Sequence, residues 1–168
     1  IWTVDPNSYV ILEHFADNNE EIVLANEGMM LWGNHNSNYN EATMGWHDNN
    51  KSNFSGISWK NRNFSSPKLV GYMESHDEER LMYENLQYGA SSGNYNIKSL
   101  GTALARQKLA GAFFFTVPGP KMIWQFGELG YDISIFYPCG DDGCKTDPKP
   151  VKWEYWQETN RVNLYKTY

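Results

Sequence analysis

Apolar and polar positions along the chain fall into short runs with two different periods. Residues 9–15 (YVILEHF) form a β-favouring apolar run broken by one carboxylate, and residues 29–32 form a second. Residues 68–73 (KLVGYM) and 121–126 (KMIWQF) read as third and fourth strands. Helical spacing occupies other intervals. Residues 19–25 suit a short helix, and residues 97–115 a long one. In the long one Ile97, Leu100 and Leu104 share a face, as do Ala105, Leu109, Ala112 and Phe113. Pro118-Gly119-Pro120 stops it. A last helix is predicted over 153–165, after a Gly/Pro/Asp-rich loop at 138–150. Residues 33–40 read as an Asn-rich loop, and 41–66 as polar and irregular with a helical turn or two. There is no internal repeat, coiled-coil heptad or linker that would split the chain.

Strands alternating with helices imply parallel pairing through helical crossovers. Short, nearly all-apolar strands suit a sheet covered on both faces. The expected class is therefore α/β. Four such units make either a small open sheet or about half of an eight-stranded TIM barrel, which takes about 250 residues. Polar residues gather at the strand ends: Glu13, then His76-Asp77, then residues 125–128. In a β/α barrel that edge carries the active site.

Composition narrows the function classes. The 168 residues allow one domain with a real core. With 14 Lys+Arg against 20 Asp+Glu, the net charge of −6 argues against a nucleic-acid binder. The longest apolar stretch is too short for a bilayer span, and no basic-then-apolar leader stands at the N-terminus. Aromatic residues reach 15% while mean hydropathy is −0.64. The rings thus lie among polar residues, which suits a Tyr/Trp-filled core and also surfaces that touch sugars or peptides. Cys139 and Cys144, in Cys-Gly-Asp-Asp-Gly-Cys, are suited to a small loop disulfide or to two idle thiols rather than to a metal site. A disulfide would indicate an oxidising compartment, periplasmic or secreted, and free thiols would be compatible with the cytoplasm.

Two constellations carry candidate chemistry. Glu13 follows Val10-Ile11-Leu12. A carboxyl enclosed by apolar neighbours is pushed toward its neutral form, the form a general acid needs. The plain alternative is a strand-end carboxylate accepting backbone hydrogen bonds. His76-Asp77, flanked by Ser75 and Arg80, also directly follows an apolar strand. The plain alternative there is a helix start, with Ser75 or Asp77 as cap and Glu78 and Glu79 favouring the helix dipole. Two carboxylates at two strand ends, one protonated and one ionised, describe glycoside hydrolysis.

At these residues the chain resembles a known family. Val10-Ile11-Leu12-Glu13-His14-Phe15 resembles the fifth barrel strand of the α-amylase superfamily, glycoside hydrolase family 13, whose Glu is the general acid/base. Tyr72-Met73-Glu74-Ser75-His76-Asp77-Glu78-Glu79-Arg80 resembles its seventh-strand signature. There His and Asp grip sugar hydroxyls and the Asp stabilises the transition state. Residues 119–128 (GPKMIWQFGE) are similar to the eighth strand with its Gly-Glu turn, and residues 150–165 to the helix that follows. The resemblance implies Glu13 as acid/base and Asp77 as stabiliser. It implies His76, Arg80, His14, Phe15, Gln125 and Glu128 as substrate contacts, an α-glucan as substrate, and no cofactor beyond the structural calcium many members hold. No calcium ligand set is recognisable in this chain.

The sequence departs from the family in two places. Ser75 stands where Asn is commoner, a form similar to glycogen-branching enzymes, which transfer glycosyl groups. The family nucleophile, an Asp two places after an Arg, is missing: the four arginines are followed at that distance by Phe64, Met82, Lys108 and Asn163. Met30 likewise replaces the Asp of the Asp-x-x-x-Asn-His motif that would end at Asn34-His35. The chain thus reads as strands five to eight of a longer enzyme and as inactive alone, with a noncatalytic carbohydrate-binding module as the alternative. Open sheet edges and an exposed apolar face, including Val10, Leu12, Leu69 and Ile123, would favour a homodimer or larger oligomer. The competing arrangement folds 41–66 and 131–150 back over that face.

Overall fold

All four expected strands form, and they pair side by side in chain order. The computed structural model describes residues 1–168. Its elements begin with β1 (Ile11–Leu12), α1 (Asn18–Asn26), β2 (Met30–Asn34), α2 (Asn36–Met44), β3 (Leu69–Tyr72) and α3 (Leu81–Tyr88). They continue with β4 (Ser91–Ser92), β5 (Tyr95–Asn96), α4 (Leu100–Phe115), β6 (Lys121–Met122) and α5 (Thr159–Tyr165). Strands β1, β2, β3 and β6 make one parallel sheet in that order, and β4 and β5 form a separate antiparallel pair. The chain is α/β around a four-stranded parallel sheet. No helix is long and apolar enough to cross a membrane.

Register decides which side chains face the helices. Leu12, Leu31 and Leu69 stand in one row across three strands. Leu31 and Leu69 are buried with Ala25 of α1 and Phe64, and Leu12 packs at the margin. Leu69 is only 1% exposed, so it does not face water as expected from sequence. Side chains alternate along a strand, and the other face belongs to Ile11, Trp32, Val70, Tyr72 and Met122. Of the other expected residues Ile123 is exposed, while Val10 is half-buried.

Gly33 and Gly71 extend the helix-facing rows. A Cβ at Gly71 would sit 2.5 Å from Cγ1 of Ile57, and one at Gly33 would sit 2.9 Å from Cγ of Leu69. The missing side chains let the 3-10 turn Ser55–Ile57 lie flat on the sheet. Part of segment 41–66 therefore does fold back, but onto the helix-covered face. There Ile57 joins Tyr39, Met73, Leu81, Ala110 and Phe114, which weld α2, α3 and α4 to β3.

Other elements depart from the sequence expectation. An α-helix, α2, replaces most of the Asn-rich loop. The last helix divides into a 3-10 turn, Trp153–Gln157, and α5. Strands β1 and β6 are two residues each, shorter than their apolar runs. Neither Ser75 nor Asp77 caps α3: its N-cap position is Arg80, and the first-turn N–H of Leu81 is taken by the Glu74 carboxylate at 2.7 Å.

Gly71→Ala is expected to cost about 1–3 kcal/mol, the usual penalty for overpacking. Gly101→Ala, at an exposed position of α4 with only Asn160 at 4.0 Å, should stabilise by about 0.5–1 kcal/mol. Urea denaturation of the two variants beside the parent chain checks both signs.

Candidate active site

The parallel strands all end at one edge, and the residues just past them line a cleft of about 380 Å³. Its walls are Glu13 after β1, Trp32 of β2, Tyr72, Ser75 and His76 from the end of β3, and residues 122–125 at the end of β6. Trp32 meets Tyr72 edge-on with ring centroids 5.9 Å apart, and the His76 ring lies 5.9 Å from Trp124. Glu13, His76 and Asp77 each bring one polar atom into a group lying within 4.8 Å. His76 Nε2 is 3.3 Å from Asp77 Oδ2. A second cleft of about 290 Å³ continues past His76, Trp124 and Gln125, walled by Asp77, Arg80 and residues 145–149.

The turn that presents His76 and Asp77 is braced from below. Arg80, 3% exposed, donates from Nη1 to the carbonyls of Ser75 and Glu78. Glu74 is buried with its Oε1 on the Leu81 N–H, and its Oε2 lies 2.5 Å from where a Cβ on Gly127 would be. Glu78 accepts from Asn34 Nδ2, Ser75 Oγ and Tyr72 OH, tying the ends of β2 and β3 together. Glu79 accepts from Ser134 Oγ at 2.6 Å and Ile135 N at 2.8 Å, anchoring the segment after β6.

Of the residues expected from sequence, the fold brings together Glu13, His76, Asp77 and Gln125. Arg80 reaches the wall of the second cleft, but its Nη1 is engaged with backbone carbonyls. His14 points to α1, its Nε2 2.7 Å from Glu20 Oε1. Phe15 is exposed at φ 48°. Neither lines the clefts, and nor does Glu128, which is half-buried beside Glu74. Glu13 itself is exposed, so this chain does not supply the apolar enclosure expected around it. Asp5 and Asp17, the other carboxylates near β1, serve local turns: Asp5 accepts from Asn7 N and Ser8 Oγ, and Asp17 from Asn19 N.

Sequence reasoning missed Trp32, Tyr72, Trp124 and Lys145 as site residues. The aromatics had a signal, since Trp32 and Tyr72 occupy the strand positions whose alternation matches Glu13. Lys145 had none. It arrives on the loop closed by the Cys139–Cys144 disulfide, which places its Nζ 3.7 Å from Asp77 Oδ1.

Two carboxylates and an imidazole at the mouth of an aromatic-walled cleft can donate a proton, accept hydroxyl hydrogen bonds and stabilise positive charge. As a structural calcium site the trio is a poor fit, because calcium takes six to eight oxygen ligands and one member here is an imidazole. No protein-family model and no curated protein matches the sequence, so the chemistry is read from the site itself.

Burial, opposed by the Leu81 N–H and by Arg80, pushes the Glu74 carboxyl up to about 7. Between the ordinary value of 4.5 and about 7, the folded chain binds a proton that the unfolded chain has lost. This contribution to stability is full below that window and disappears as pH rises through it. Glu74→Gln should remove the dependence, which is on the order of 3 kcal/mol for a shift of this size. Urea midpoints at pH 5 and pH 8 measure it; an equal fall in both proteins would contradict the assignment.

Proposed function

We propose that the chain carries half of the active site of a retaining, α-glucan-active glycoside hydrolase of α-amylase type. Strands β1, β2, β3 and β6 would stand for strands five to eight of a TIM barrel. The observation that supports this best is the meeting of Glu13, His76 and Asp77 within 4.8 Å at one edge of a parallel sheet. Residues far apart in sequence and on different strands converge there, as the resemblance requires. Under this reading Glu13 protonates the glycosidic oxygen and later deprotonates water, Asp77 stabilises the oxocarbenium-like transition state, and His76 holds a sugar hydroxyl. Trp32, Tyr72 and Trp124 supply apolar walls for sugar rings. Retaining chemistry also needs a nucleophilic carboxylate. Asp5 and Asp17 are engaged elsewhere, so the nucleophile would come from outside these residues and the chain alone would be inactive.

A second reading, glycosyl transfer within the same superfamily, is favoured by Ser75. Its hydroxyl is committed to Glu78, so this position helps shape the turn rather than meeting sugar directly. Self-association is also part of the proposal. The outer edges of β1 and β6 are unpaired, and Ile11 and Ile123 are exposed beside them.

A protein extended upstream to include an Arg-x-Asp strand should hydrolyse soluble starch while the 168-residue chain does not. In the extended protein, Glu13→Gln and Asp77→Asn should each lower kcat by about a hundred- to a thousandfold. Glu13→Gln should be partly rescued on glycosides whose leaving group needs no proton. Near-normal turnover of glucan by either variant would reject the reading. For association, light scattering after size-exclusion chromatography of the chain alone should show a dimer or larger species. A sharp 19.4 kDa peak at all concentrations would reject the edge-pairing proposal.

A further inference from the structure

The loop between residues 138 and 150 is built more firmly than its composition suggests. Cys139 and Cys144 are bonded with their Cα atoms 5.8 Å apart. Asp141 accepts from Gly143 N at 2.9 Å and opens the 3-10 turn Asp142–Cys144. Lys149 folds inward, and its ammonium donates to the carbonyls of Cys144 at 2.7 Å, Lys145 at 3.2 Å and Asp147 at 2.8 Å. One lysine of the loop thus serves as an internal strut. The other, Lys145, directly follows the disulfide and extends to Asp77.

At 3.7 Å from Asp77 Oδ1, the Lys145 ammonium forms an ion pair too long for a hydrogen bond. Its three N–H donors are left free. Both partners are substantially exposed, with side chains 37% and 49% accessible. A pair of that kind adds little to stability, so fold maintenance does not account for a loop stapled so as to deliver it. The pair instead sets a donor and an acceptor side by side in the second cleft, with the Trp124 ring and the Gln125 amide forming the adjoining wall. Adjacent hydroxyls of a sugar ring offer the matching arrangement, one accepting from the ammonium while its neighbour donates to the carboxylate.

We propose that Lys145 is a substrate-binding, specificity-determining residue that reads one hydroxyl of a vicinal pair next to Asp77, and that the Cys139–Cys144 disulfide holds it there. The inference rests on the α-glucan reading of the site and adds to it a residue and a covalent tether. Carbohydrate affinity then depends on the redox state of the loop. A dithiol reductant gives two electrons and two protons to the pair, leaving two thiols and closing into its own disulfide, and the tether on Lys145 is lost.

The test is titration of the 168-residue chain with maltoheptaose, followed by the amide and indole NMR signals of His76, Trp124 and Gln125. Lys145→Met should weaken binding about tenfold, the low end for one hydrogen bond to a charged group, and Lys145→Arg should restore most of it. Joint Cys139→Ser and Cys144→Ser, or reduction by a dithiol, should weaken binding to the same extent and add nothing in the Lys145→Met background. A merely structural ion pair would leave affinity unchanged in Lys145→Met. Equal affinity for the chain and Lys145→Met overturns this inference and leaves the glucan reading standing. An absence of saturable shifts in the unsubstituted chain overturns both.

Discussion

The chain that leaves β3 at Tyr72 runs through Glu74-Ser75-His76-Asp77 and must start a helix within a few residues. Two buried ionisable side chains make that turn possible. Glu74 replaces the missing side-chain cap of α3 by accepting from the Leu81 N–H, and Arg80 satisfies the carbonyls of Ser75 and Glu78 that the turn would otherwise strand. Each would be costly to bury alone. Arg80 draws the Glu74 carboxyl toward its charged form while burial and Glu128 push it the other way. The position of His76 and Asp77 is thus set by polar groups that lie outside the first cleft, although Arg80 also walls the second.

The same brace reaches the rest of the edge. Gly127 passes so close over the Glu74 carboxylate that no side chain fits there, and Gln107 of α4 donates to the Gly127 carbonyl at 2.9 Å. Through this contact the long helix fixes the segment that follows β6, and with it Trp124 and Gln125. On the other side Glu78 collects Asn34 from β2. Three of the four strand ends are therefore tied to one acidic turn. Glu13 is the exception: it follows a two-residue edge strand that has β2 as its sole neighbour.

What the sequence made legible follows from which forces act locally. Apolar runs located all four parallel strands, and helical spacing with a Pro-Gly-Pro stop located α4, because both signals reside in consecutive residues. Helix α2 escaped notice because its sequence, Asn36–Met44, is poor in intrinsic helix formers. It forms through distant partners: Asn36 is buried, and its Nδ2 donates to the carbonyls of Met73 at 3.0 Å and Glu79 at 2.9 Å. Leu69 was put on the wrong face because an all-apolar strand carries no alternation to orient it. Among site residues, Glu13, His76 and Asp77 were readable as strand-end polar groups. Lys145 was not, since only the closed loop brings it near Asp77.

The exposure of Glu13 bears on how the site is divided. A general acid gains from apolar enclosure, which favours the neutral carboxyl and shields the leaving group from water. Here Trp32 and Tyr72 wall only one side of it. The face that could supply the remainder carries Ile11 and Ile123 in contact with solvent. On that side Glu13 and the margins of the sheet at Ile11 and Ile123 are exposed, while Val70 and Tyr72 at its centre are buried. Under the barrel reading proposed above, further strands would enclose Glu13 and cover those margins, and their ends would bring a nucleophilic carboxylate to the same edge. On that proposal the exposure of Glu13 ties packing and chemistry to one face of the sheet.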